Sequence, residues 1–156
     1  MHAAVTVRPA RAEDLADLVR FNVAMARETE GKQLDPARLE HGVARVLADP
    51  ARGRYFVAER AGSTVGALLV TTEWSDWRDG WFWWLQSVYV VPEGRRTGVY
   101  RALHEHVVRA AREQREVCGV RLYVDRENRS AQAVYQRLGM DRARYEFFEL
   151  DFVLGR

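Results

Sequence analysis

The residues from Gln86 to Leu103 carry the most chemistry in the chain. A hydrophobic strand pattern, Phe82–Val91, stops at Pro92 and enters the turn Glu93-Gly-Arg-Arg-Thr-Gly98, and a helical pattern begins directly after it. Such a turn leaves backbone N–H groups without helical acceptors at the positive end of a helix dipole. That is a site for an anion, and Arg95, Arg96 and Arg101 add positive charge around it. Gly98 lets the main chain approach a phosphate oxygen closely. No Gly-Lys-Ser/Thr follows, so this is not a Walker loop.

A second strand-to-helix junction follows at Leu122-Tyr-Val-Asp-Arg-Glu-Asn-Arg-Ser-Ala-Gln-Ala-Val-Tyr-Gln-Arg-Leu-Gly139. Taken by itself, Tyr135 reads as a core tyrosine on an apolar helix stripe. His104 and His106 lie two apart on a helix and face different sides, so they make poor joint metal ligands and read as surface histidines. No metal site is expected. Cys118 is the single cysteine and reads as buried and structural, which fits a reducing compartment. All five tryptophans fall within Trp74–Trp84. Trp74 and Trp77 read either as packing across a hairpin or a dimer contact, or as part of a wall for a cationic or aromatic ligand, together with Glu28.

These residues need a scaffold, and the order of patterns supplies one. Ala4–Arg8 alternates as a strand, and Leu15, Leu18, Val19 and Val23 fall at helical spacing. Asp35-Pro36 opens a second helix bearing Leu39, Val43, Val46 and Leu47. Tyr55–Arg60 and Thr64–Thr72 form a hairpin about Ala61-Gly62-Ser63, and Trp74–Gly80 connects to the Phe82–Val91 strand. A helix with Val99, Leu103, Val107 and Ala110 follows, then a strand at Val120–Val124, a helix through Leu138, and a closing strand at Tyr145–Phe152. Early strands joined by tight turns and later ones separated by helices predict an α/β chain of α+β type with a mixed sheet and helices on both faces.

Several of these features together resemble the GNAT superfamily of acetyltransferases. Arg95-Arg96-Thr97-Gly98-Val99-Tyr100 is similar to its pyrophosphate motif, Gln/Arg-x-x-Gly-x-Gly/Ala, preceded by a Val-x-Pro strand end at Val90–Pro92. Asn128, Ala131 and Tyr135 resemble its Asn-x-x-Ala-x-x-x-Tyr motif, followed by Leu-Gly-Met, and Arg8-Pro9-Ala10 with Glu13-Asp14-Leu15 is similar to a typical start. One departure is Tyr100, which stands where the motif usually has Gly or Ala. The resemblance implies a single acetyltransferase domain over 1–156. It implies a central mixed sheet of six to seven strands with about four helices on both faces.

The same resemblance implies a reaction. Acetyl-CoA would enter where the Phe82–Val91 and Val120–Val124 strands splay apart. Its pantetheine arm would pair with the backbones of Val88 and Val90, a small-molecule form of strand addition. Arg95, Arg96, Thr97, Gly98, Val99, Tyr100 and Arg101 would hold the pyrophosphate, and Asn128 would steady the arm. Tyr135 would protonate the departing thiolate. The acceptor would be a primary amine on a small molecule or peptide, attacking directly in a ternary complex. An alkylamine of pKa about 10.4 must lose a proton at a cost of about 4.6 kcal/mol at pH 7, so a base is needed. Where relatives often carry an acid this chain has Gln86 and Ser87, which leaves Glu28 and Glu73 as acceptor-side candidates. The same departure, with Tyr100, favours an alternative: a non-catalytic acyl-CoA-binding or sensor domain.

Bulk composition narrows the partners. The 156 residues include 47% hydrophobic and 29% charged side chains, and the net charge of +2 gives no general attraction to nucleic acid or membrane. Lys32 is the single lysine, so arginine carries the basic charge. With no secretory pattern and no apolar run of membrane-spanning length, a cytoplasmic protein is expected. A homodimer is common among similar proteins.

Overall fold

In the computed structural model, residues Ala3–Leu154 are described, and they fall into two compact units, one ending at Tyr123 and the other starting at Val124. The first unit holds a five-stranded sheet in the order β1 (Thr6–Pro9), β2 (Arg54–Arg60), β3 (Ser63–Ser75), β4 (Gly80–Val90), β5 (Val117–Arg121). Its helices are α1 (Leu15–Glu30), α2 (Pro36–Ala48) and α3 (Val99–Glu113), and the second unit contributes α4 (Arg129–Arg137). β1 through β4 pair antiparallel and β5 joins β4 in parallel, giving the mixed sheet expected from the order of patterns.

Strand alternation sorts the core into two layers. Phe56, Leu68, Val70, Trp83 and Leu85 face α3, whose stripe Val99, Leu103, Val107 and Ala111 is buried against them. Tyr55, Val57, Leu69, Tyr89 and Val91 face the other way, onto Leu18 and Phe21 of α1 and Val43 of α2. The helix ends follow the sequence signals. Asp35 accepts from the Arg38 N–H ahead of Pro36, and Gly31 closes α1 in the left-handed region at φ 62°. The β2–β3 turn places both Ala61 and Gly62 at positive φ, which matches the twist of a two-residue hairpin.

Four expectations are corrected. The sheet has five strands rather than six to seven, because no closing strand forms at Tyr145–Phe152 among the described residues. Tyr145, Phe148, Leu150 and Phe152 in that stretch are exposed, so alternation there supplies strand propensity without the neighbouring ladder that makes a strand. β5 occupies Val117–Arg121, not Val120–Val124, because its register is set by pairing with Trp81–Trp84 of β4. It is half-buried throughout, Cys118 included. Finally, His104 is buried rather than on the surface. It follows Leu103 on α3, and its ring lies tilted against that of Tyr100.

Candidate functional site

The site begins with a defect in β4. Between the Leu69↔Gln86 and Ala67↔Tyr89 pairs, β4 carries one residue more than β3, and Ser87 takes a positive φ of 48°. Such a bulge turns the strand and weakens its lateral pairing. On the other edge, β4–β5 pairing ends at Trp84↔Arg121, while β4 continues to Val90. Val91 N–H donates to the Val65 carbonyl of β3, so the alternating main-chain groups of Val90 and Val88 face away from β3, along the open edge. Phe82 holds the last paired stretch. Its ring lies so close to Gly119 that a Cβ there would come within 2.6 Å, and the Arg121 guanidinium stacks on it at 3.5 Å.

β4 delivers the chain into the anion loop. Pro92–Gly94 forms a single 3-10 turn, Arg96 sits at φ 63°, and Gly98 at φ 88° is the N-cap of α3. The first intrahelical bond runs from Ala102 N–H to the Gly98 carbonyl, so the amides of Val99 and Arg101 have no acceptor within the helix. No side chain caps this end, and a Cβ on Gly98 would meet nothing within 4 Å. An uncapped helix start with open space beside it and arginines at 95, 96 and 101 suits a diphosphate. Tyr100 leaves that space clear: its ring packs beside His104, 5.8 Å between centroids, one turn farther along α3.

Around the loop, three side chains form a polar cluster. Glu28, near the end of α1, accepts from the Tyr89 hydroxyl at 2.9 Å and from the Arg95 guanidinium at 2.5 Å. The Arg95 partnership, more than the Tyr89 bond, holds the Glu28 carboxyl below its ordinary value. Burial, and then the neighbouring carboxylate, pushes the Tyr89 phenol up. Arg95 also donates from Nε to the Val90 carbonyl at 3.0 Å. Behind the bulge, Ser87 faces the buried pair of Tyr55 and Asn22, whose amide donates to the Tyr55 hydroxyl at 3.3 Å.

The other candidates lie elsewhere. Glu73 pairs with Arg121 at 2.6 Å. Trp74 crosses edge-on against Trp81, and Trp77 is 84% exposed at the hairpin tip. Trp81 and Tyr89 stand about 25 Å apart along β4 at the usual rise per residue. Glu28 and the tryptophan turn therefore occupy opposite ends of the strand and form no common wall. Among the described residues, no group of three or more His, Cys, Asp or Glu side chains comes together, and no helix is long and apolar enough to cross a membrane.

In the second unit, Asn128 is the N-cap of α4 and its Oδ1 accepts from the Ala131 N–H at 3.1 Å. This bond accounts for an asparagine at the start of the helix. Tyr135 lies one turn beyond Ala131, half-buried, with its phenol pushed above the ordinary value by burial. Gly139 at φ 87° ends the helix.

With this geometry in place, comparison decides the family: the chain matches the Acetyltransferase (GNAT) family over residues 17–140. It belongs to the GNAT acetyltransferases. A solved structure described as "a possible acetyltransferase from Clostridium difficile 630" shares 39% identity over 96% of this chain and 98% of its own, with a TM-score of 0.88. A "probable acetyltransferase" shares 23% identity over 94% and 97%, with a TM-score of 0.83, and has the same fold. So does a ribosomal-protein-alanine N-acetyltransferase from Brucella melitensis biovar Abortus 2308, at 17% identity over 96% and 99% and a TM-score of 0.77. No curated protein matches significantly.

Sequence reasoning about this GNAT chain missed two participants. Tyr89 lies unremarked within the Phe82–Val91 strand pattern, and alternation puts it on the face toward α1, where it meets Glu28. Arg60 ends β2 with nothing in its spacing to distinguish it, yet it reaches the anion loop and bonds Thr97 twice.

Proposed function

We propose that the protein is an N-acetyltransferase that moves an acetyl group from acetyl-CoA to a primary amine by direct attack in a ternary complex. The observation that carries this reading is the open edge of β4 at Val88 and Val90, which leads straight into an uncapped helix start lined by arginine. The amides of Arg96 through Arg101 would hold the diphosphate, with Thr97, Gly98, Val99 and Tyr100 shaping the loop. The thioester arm would pair along Val88 and Val90, and the room beside Gly98 fits a phosphate oxygen.

On the acceptor side, Glu28 supports recognition of a cation. Its carboxylate stays ionised at neutral pH because Arg95 and Tyr89 donate to it, which makes it a weak base but a good counter-charge for an ammonium group. Glu73, paired with Arg121, lies with Trp74 and Trp77 at the far end of β4 from Glu28 and has no part in this acceptor site. Tyr135 would donate its proton to the sulfur as the C–S bond breaks. Its raised pKa keeps the donor protonated at neutral pH, and transfer to a thiolate of pKa about 8.5 is uphill unless concerted with cleavage. Asn128 would steady the arm. A cytoplasmic protein that takes small-molecule or peptide amines fits this scheme.

The test is thiol release from acetyl-CoA with a panel of amines. Acceptor-dependent release of CoA, at one thiol per acetylated amine, is the expected result. Saturable CoA binding with no turnover on any amine would replace the enzyme with an acyl-CoA sensor.

A further inference from the structure

We infer that Arg60, at the far end of β2, is a positioning residue that aims the Gly98 amide into the diphosphate site. The inference rests on the acetyl-CoA reading above and adds a residue that the loop motif does not contain. Arg60 Nη1 donates to the Thr97 hydroxyl at 2.8 Å, and Nη2 donates to the Thr97 carbonyl at 3.0 Å. The hydroxyl passes the constraint on, donating to the Gly94 carbonyl at 2.6 Å. One planar guanidinium thus grips both ends of the Thr97 residue, and the turn is tied at Gly94 as well.

The consequence follows from peptide geometry. The chain has no cis peptide bonds among its described residues, so the Thr97 carbonyl and the Gly98 N–H point in opposite directions within one peptide plane. Holding the carbonyl against β2 turns the Gly98 N–H the other way. Gly98 sits at φ 88°, where an unanchored peptide flips easily, and Arg96 two residues before it also has positive φ. A loop with two such residues has several accessible orientations, and the fork on Thr97 selects one. Arg60 accepts a penalty in doing so, since its Nε is buried with no acceptor.

Substitution separates aiming from simple support. Arg60→Met should raise the Kd for CoA about tenfold, the loss expected when one aligned donor is released. The Kd for S-acetylpantetheine, which lacks the diphosphate, should stay within about twofold, as should kcat at saturating acetyl-CoA and the acceptor KM. Arg60→Lys can still donate to Thr97 and should recover at least half of the lost affinity on a logarithmic scale. It also serves as the test variant if the Met protein does not fold. Arg60→Met binding CoA as the wild type does would remove the clamp and leave the acetyltransferase reading intact. Equal losses for both ligands would make Arg60 a general support and overturn the inference. A wild-type protein that does not bind CoA would remove both.

Discussion

Arg95 Nε donates to the Val90 carbonyl at 3.0 Å, occupying a main-chain acceptor that the proposed thioester arm would also use. The same guanidinium holds Glu28 on α1. Under the proposed reading Arg95 would compete with the arm for this carbonyl, and its charge would be available to the diphosphate if it left Val90.

Removing the Arg95 side chain should act in opposite directions on two donors. In Arg95→Ala the KM for S-acetylpantetheine should fall about threefold, because Val90 is unoccupied, while the KM for acetyl-CoA should rise about threefold through loss of a charged contact. Steady-state kinetics with both donors measures this. A parallel rise for the two would show that Arg95 does not compete for the edge.

Gly98 tests the loop most severely. Gly98→Glu adds a strained φ and a negative charge where a diphosphate is expected, so CoA affinity should drop at least about a hundredfold. The backbone strain should cost only about 1–3 kcal/mol of stability, readable from urea midpoints. Normal CoA binding by this variant would place the phosphates elsewhere.

For Tyr135 the expectation is a kinetic split. Tyr135→Phe should lower kcat about a hundredfold, within the range for a lost general acid, with the KM for acetyl-CoA nearly unchanged. Because burial raises the phenol, wild-type kcat should show no alkaline loss from this group until above about pH 10. Unchanged kcat in the Phe variant would take Tyr135 out of the chemistry.

Much of this was legible because local rules and tertiary structure agreed. The Asp35-Pro36 cap, the Ala61-Gly62 turn and the loop at Arg95–Gly98 each write their geometry into a few adjacent residues. The strand count was not legible, since alternation at Tyr145–Phe152 signals a propensity and not a partner. His104 was misjudged because its exposure depends on what lies across α3 rather than on its spacing from His106. Arg60 and Tyr89 were invisible for the same reason: their roles arise from residues 37 and 61 positions away.

Burial of His104 makes stability depend on pH. Desolvation lowers its folded pKa below the ordinary value, so the unfolded chain binds the proton more readily. This group's contribution is complete above about pH 6.5 and declines as pH falls toward its folded pKa. The urea midpoint should therefore drop between about pH 7 and 5, and His104→Leu should flatten that part of the profile. An unaltered slope in the variant would assign the pH dependence to other groups.

Asp14 gives coupling of the same sign in a more acidic range. It is buried, accepts two bonds from Arg8 and one from the Arg11 N–H, and is held below its ordinary pKa first by Arg8. Its contribution is complete above about pH 4 and is lost as pH falls through the depressed value. Asp14→Ala should cost about 3 kcal/mol at neutral pH, toward the lower end for breaking a buried pair because Arg8 keeps some solvent contact. Urea unfolding at pH 7 measures this, and a loss under about 1 kcal/mol would show that the pair is effectively solvated.

Calorimetric titration with acetyl-CoA tests the central claim most directly. A β4 edge open beyond Trp84 and an uncapped α3 start should together give saturable one-to-one binding in the micromolar range, abolished in Gly98→Glu. Absence of saturable heat from the wild-type protein would contradict the account.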